Sequence, residues 1–85
     1  METHILVVDD DPSIRSFLKT ALERAPGHHV DGAADAAAAL TLLRHGQHAI
    51  LLVDLRLPGQ SGLELIRAVR QERPEAVIIA IAGSA

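Results

Sequence analysis

The stretch Ile50-Leu51-Leu52-Val53-Asp54-Leu55-Arg56-Leu57-Pro58-Gly59-Gln60-Ser61-Gly62 passes from an unbroken aliphatic run to one carboxylate and then into turn residues. A run this short, bounded by polar and turn residues, reads as a strand buried in a parallel sheet. A second run, Ile5-Leu6-Val7-Val8, ends in the same way, on Asp9-Asp10-Asp11. A helical stretch separates the two, so both strands are expected to point the same way, with their carboxyl ends on one edge. Their carboxylates would then converge. Bare carboxylates repel by roughly 4 kcal/mol per close pair at an effective dielectric of about 20. A hard divalent cation with oxygen ligands is the natural counterweight.

Working outward from Asp54, the turn residues Pro58, Gly59 and Gly62 make residues 55–62 a loop, and Ser61 is placed to cap the helix that follows. That helix, about Gly62 to Glu72, puts Leu63, Ile66 and Val69 on one side, and Pro74 closes it. Residues 77–82 are continuously apolar, as expected for a strand covered on both faces, with residues 83–85 opening the next loop.

Upstream, Asp11-Pro12-Ser13 reads as a helix start, with a capping aspartate and proline at the first helical position. The helix is expected to run to about Arg24 and to pack on the sheet through Ile14, Phe17, Leu18, Ala21 and Leu22. Pro26-Gly27 stops it, and residues 28–33 form a weak strand. Asp35 to Arg44 is an alanine-rich helix anchored by Leu40 and Leu43 and ended by Gly46. Strands alternating with helices specify right-handed crossovers and an open, doubly wound α/β sheet. Such sheets bind ligands beyond the strand carboxyl ends, where the strand order reverses.

The 85 residues, 48% hydrophobic and 22% charged, make one globular domain spanning 1–85. A domain this small buries only about 60–65% of the surface of its unfolded chain, so each element matters for stability. A net charge of −3, with no basic run, gives no footprint for nucleic acid or an anionic membrane. Cysteine is absent, which excludes disulfides and thiolate metal sites. Met1-Glu2-Thr3-His4 lacks the basic leader of a signal peptide, and no apolar run approaches the ~18 residues of a membrane span. A cytoplasmic location is expected. His4, His28, His29, His45 and His48 read as scattered along the chain and not as a metal cluster.

The segments Ile5-Leu6-Val7-Val8-Asp9-Asp10-Asp11-Pro12-Ser13-Ile14-Arg15 and Leu52 to Gly62 together resemble the receiver domains of bacterial two-component response regulators. The resemblance implies a flavodoxin-like sheet of strand order 2-1-3-4, with the family's fifth strand and last two helices absent from these residues. It implies that Asp54 accepts a phosphoryl group from a sensor histidine kinase or phosphotransfer protein. It also implies Mg2+, held directly by Asp10, Asp54 and the backbone carbonyl of Arg56, with Asp9 acting largely through water. Such a domain assists its own phosphoryl transfer and dephosphorylation and is not otherwise an enzyme. Pro58 and Gly62 would shape the loop, and any effector domain would follow Ala85.

Two departures from that pattern stand out. Receivers usually carry a Thr or Ser where this chain has Ala82, and Ser84 lies two residues further on. The family's fifth-strand lysine has no counterpart here, since the one lysine is Lys19. These departures support, as an alternative, a receiver-like binding module that does not switch. A phosphohydrolase with an aspartyl nucleophile would carry a second acid two residues after it, and that position is Arg56. With no outer neighbour, the strand at residues 77–81 would expose backbone groups and apolar side chains. A piece of a larger domain, or a homodimer covering the fourth-strand edge, is therefore expected.

Overall fold

The computed structural model describes residues 1–59 and 61–81. Ala82 and Ser84, on which the missing-hydroxyl reading rests, and Ala85 lie outside those residues. Strands and helices alternate as β1 (Thr3–Val8), α1 (Pro12–Leu22), β2 (His28–Ala33), α2 (Ala36–His45), β3 (His48–Asp54), α3 (Gly62–Glu72) and β4 (Val77–Ile81). All strand pairs are parallel and the order is β2-β1-β3-β4. The order therefore reverses between β1 and β3, the two strands that end in carboxylates.

Each helix begins where a short polar side chain satisfies an amide that the first turn leaves unpaired. Asp11 accepts from the Ser13 amide at 2.8 Å, Asp35 from the Ala38 amide at 2.8 Å, and Ser61 from the Glu64 amide at 3.2 Å. Helix α1 ends at Leu22, earlier than its composition suggests, with Glu23 as its C-cap. Glu23 then has a second task. Its carboxylate accepts from the Val30 amide at 2.9 Å, while Lys19 donates to the Val30 carbonyl at 2.9 Å. Lys19 of α1 and the C-cap Glu23 thus occupy the outer edge of β2 at Val30, whose backbone groups would otherwise be bare.

The sheet separates two apolar layers of unequal size. Leu6 and Val8 of β1 and Leu51 and Val53 of β3 pack under Ala36, Ala39 and Leu43 of α2 and Leu65 and Val69 of α3. On the other face Ile5, Val7 and Val30 meet Leu18 and Leu22 of α1. Arg73, just past α3, donates to the carbonyls of Leu43, Gly46 and His48, tying the end of α2 to the start of β3. Beside that clamp the β1–β3 register shifts, so that His4 pairs with His48 but Ile5 with Ile50.

Three expectations about packing fail. The α1 stripe does not pack as a whole, because among the described residues α1 packs chiefly against β2 and β1. Leu18 and Leu22 are half-buried, while Ile14 and Phe17 remain exposed at 42% and 70%. Leu63 is 59% exposed and Leu65 takes its place in the core. Gly62 is pressed against the backbone of Leu55, which sets the helix phase so that residues 62, 65 and 69 face inward. Strand β4 is not covered on both faces either. Val77 and Ile79, in register with Ile50 and Leu52 on the α1 face, stay 55% and 47% exposed beyond that helix.

Candidate functional site

Val8 of β1 pairs in register with Val53 of β3, so Asp9 and Asp54 are the next residues on neighbouring strands. Asp10 follows Asp9 at the same sheet edge. The structure brings all three together, with one carboxylate oxygen from each of Asp9, Asp10 and Asp54 within 4.8 Å of the others. Asp9 and Asp54 are buried, and Asp10 is exposed. Asp11, the fourth acid of the sequence pattern, serves as the α1 cap.

The chain's own groups hold these carboxylates in place. The Asp54 Oδ1 accepts from the Arg56 amide at 2.8 Å, and Asp9 Oδ1 accepts from the Asp11 amide at 2.9 Å. Burial raises the Asp9 carboxyl above its usual range. The Asp11 amide opposes that shift, and the charges of Asp54, Asp10 and Asp11 add to it. A buried acid facing two more acids is short of positive charge. The all-oxygen donor set, open to solvent through Asp10, suits a hard cation that keeps some of its water. Magnesium therefore fits these residues.

Sequence reasoning missed Arg15. It lies one turn into α1 and its Nη1 donates to the Asp9 backbone carbonyl at 2.7 Å. The signal was available, since a basic residue six positions after a strand-end acid lies over that strand's tip when a helix begins between them. Pro58 is exposed and Gly59 adopts a left-handed φ of 80°, as the turn after Asp54 requires. Gly62 is needed for space. A Cβ there would come within 2.5 Å of the Asp54 carbonyl and 2.6 Å of Leu55 Cα. The Arg56 side chain is exposed, and Lys19 is engaged at the β2 edge.

The histidines are less scattered than the sequence suggests. His29, His4 and His48 stand in register on β2, β1 and β3, with ring centroids 5.1 Å and 6.5 Å apart in turn. They sit at the opposite end of the strands from Asp9 and Asp54. His48 is buried with its Nε2 2.7 Å from an Asp31 carboxylate oxygen, and the His29 ring meets Glu2 at 2.8 Å. His28 and His45 lie against the Leu22 and Thr41 carbonyls.

Fold and site together define a class, the doubly wound α/β domains whose acidic pocket lies at the carboxyl ends of the strands, where their order reverses. Comparison with known proteins places the chain within it. The family model of the response regulator receiver domain matches residues 5–85, and the chain belongs to that family. The two-component response regulator PhoP of Pseudomonas aeruginosa is 43% identical over 68 residues, covering 80% of this chain and 30% of that protein. A CheY-like receiver domain protein of Methanospirillum hungatei superposes with a TM-score of 0.93 at 33% identity, over 100% of this chain and 67% of that one. The response regulator TrrA of Thermotoga maritima, solved in complex with Mg2+-BeF, gives a TM-score of 0.88 at 35% identity over 98% of this chain and 71% of that one. TrrA has also been solved in complex with the histidine kinase ThkA. The chain spans about a third or less of PhoP and about two thirds of the solved receivers.

Proposed function

We propose that this chain is the phosphoacceptor module of a two-component phosphorelay, with Asp54 receiving a phosphoryl group from a sensor histidine kinase or phosphotransfer protein. The observation that carries this reading is the convergence of the Asp9, Asp10 and Asp54 carboxylates within 4.8 Å. Asp10, Asp54 and the Arg56 backbone carbonyl would hold Mg2+ directly, and Asp9 through water. When bound, the ion neutralises charge on the phosphoryl oxygens. Phosphoryl transfer otherwise needs chiefly positioning, which the chain supplies. The Arg56 amide holds Asp54 Oδ1, leaving Oδ2 as the attacking oxygen. An oxygen–phosphorus bond forms to Asp54 as the phosphorus–nitrogen bond of the donor phosphohistidine breaks, and the departing imidazole takes up a proton. The TrrA structures with Mg2+-BeF and with ThkA support this reading by likeness.

Any effector attached beyond these residues, and a cytoplasmic location, follow from the same reading. No helix among the described residues is long and apolar enough to cross a membrane. The test is incubation with acetyl phosphate and Mg2+, followed by intact-mass measurement. A gain of one phosphoryl group is expected, lost with EDTA and in Asp54→Asn. One observation favours a second reading. The residue at position 82 is alanine, which offers no hydroxyl. No mass gain, with retained binding to a histidine kinase, would select a receiver-like module that binds without switching.

A further inference from the structure

The three acids of the site are not held alike. Asp9 Oδ1 accepts from the Asp11 amide and Asp54 Oδ1 from the Arg56 amide, so each buried carboxylate is oriented by an amide two residues on. Asp10 is exposed, and among the described residues no hydrogen bond reaches its carboxylate. Its direction is left to the backbone that carries it. The Asp9 carbonyl and the Asp10 N–H belong to one planar peptide group, and Arg15 Nη1 donates to that carbonyl at 2.7 Å. The Asp9 N–H in turn donates to the Ala33 carbonyl of β2 at 3.0 Å. Asp9 is thus pinned to the sheet at its amide and to α1 at its carbonyl. The arginine reaches that carbonyl by lying across β2. A Cβ at Gly32 would stand 3.3 Å from Arg15 Cδ, 3.7 Å from Nε and 3.8 Å from Cβ, so the bare Gly32 backbone makes room for the arginine stem. Among the described residues Arg15 forms no ion pair. A guanidinium beside an acidic site, bonded to main chain and to no carboxylate, serves geometry before charge.

We propose that Arg15 is a positioning residue of the cation site: its bond to the Asp9 carbonyl fixes the Asp9–Asp10 peptide plane and so holds the Asp10 carboxylate toward Asp54. The inference rests on the phosphoacceptor reading and deepens it, since an ion shared by Asp10 and Asp54 is what this alignment serves. Without the bond, the peptide rotates about its flanking dihedrals and the exposed carboxylate swings with it. The arriving ion would then have to order Asp10 itself, at a cost in conformational entropy. Partners that orient a ligand from behind act on a metal in this way. The sign of the effect separates geometry from charge. A cation near three carboxylates opposes Mg2+, so if Arg15 acted through its charge alone, removing it would tighten binding. Positioning predicts the reverse. Gly32 belongs to the same arrangement, because a methyl group there pushes on the arginine stem and on nothing else within reach.

Mg2+ titrations of the 85-residue chain, followed by two-dimensional amide NMR, test the proposal. Arg15→Met keeps an apolar stem over Gly32 and removes the donor. It is expected to weaken Mg2+ binding about tenfold, the lower end of what losing a ligand's outer partner costs, with the amide spectrum of the sheet otherwise retained. Arg15→Lys, which keeps a donor and the charge, is expected to recover part of that loss. Gly32→Ala should weaken binding in the wild-type background and have no effect in Arg15→Ala, where nothing lies over it. Such non-additivity marks two residues acting through one contact. An Arg15→Met chain that binds Mg2+ as tightly as the wild type, or more tightly, overturns the proposal, and so do additive losses at Gly32 and Arg15. If Arg15→Met loses its folded spectrum, Gly32→Ala decides alone, and an unchanged Mg2+ affinity in that variant overturns the proposal. The two readings fail separately. A wild-type chain that takes up a phosphoryl group while Arg15→Met binds Mg2+ equally well sinks only the role of Arg15, whereas a wild-type chain that binds no Mg2+ sinks both.

Discussion

Asp9 concentrates the electrostatic problem of this protein in one side chain. It is buried, its carboxyl is raised above the usual range first by that burial, and two further carboxylates lie within reach. The unfolded chain imposes none of this, so the charged form of Asp9 destabilises the fold at neutral pH when no cation is present. Asp9→Asn is therefore expected to stabilise the metal-free protein by about 1 kcal/mol, a discounted share of the pair repulsion. For a domain of this size that raises Tm by roughly 4–8 °C. The same substitution should shrink the further rise in Tm that Mg2+ gives the wild-type chain. Parallel thermal melts with Mg2+ and with EDTA check both halves, and equal Mg2+ shifts in the two proteins would refute the role of Asp9. Asp11 shows why residue type alone misleads. It is as acidic as its neighbours, yet its geometry makes it a helix cap.

At the level of elements, the approach of α3 to the end of β3 governs the loop that carries Asp54. Gly62 lets the first turn of α3 rest on the Asp54 carbonyl and the Leu55 backbone. A methyl group there has no room, because what it meets is backbone and not a flexible side chain. Gly62→Ala is expected to cost about 1–3 kcal/mol, the range for overpacking a tight contact. It should also weaken Mg2+ binding by shifting the acceptor loop, and melts together with a Mg2+ titration would show the two effects. The α1–β2 junction yields a pH prediction. The Glu23 carboxyl is held below the usual glutamate range, first by the Val30 amide and then by Lys19. A lowered folded pKa contributes stability that is present above the unfolded value, about 4.3, and is lost as pH falls through the folded one. Glu23→Gln should therefore flatten the loss of stability on acidification below about pH 4.3, as measured by urea unfolding at stepped pH.

Over the whole molecule, stability rests on the larger of two unequal apolar layers. Leu65 is fully buried between α3 and the sheet, whereas Leu63, two residues before it, is exposed. Leu65→Ala is expected to cost about 2–5 kcal/mol, a large part of the 5–15 kcal/mol typical of a native domain. Leu63→Ala should stay within about 0.5 kcal/mol. Chemical denaturation of the pair distinguishes them, and equal losses would contradict the packing described here. The sequence by itself determined the alternation of strands and helices, the caps at Asp11 and Ser61, and the parallel direction that brings Asp9, Asp10 and Asp54 together. Those features depend on local periodicity, capping chemistry and the handedness of crossovers, all written in near neighbours along the chain. Only the tertiary structure decided which apolar residues are core. The phase of α3 depends on its contact with Leu55, and the fate of Ile14, Phe17, Val77 and Ile79 depends on how far α1 reaches across the sheet. The gathering of His4, His29 and His48, the hold of Arg15 on Asp9 and the guarding of β2 by Lys19 and Glu23 are likewise contacts between elements. Each is set by strand register and helix placement, which no local pattern encodes.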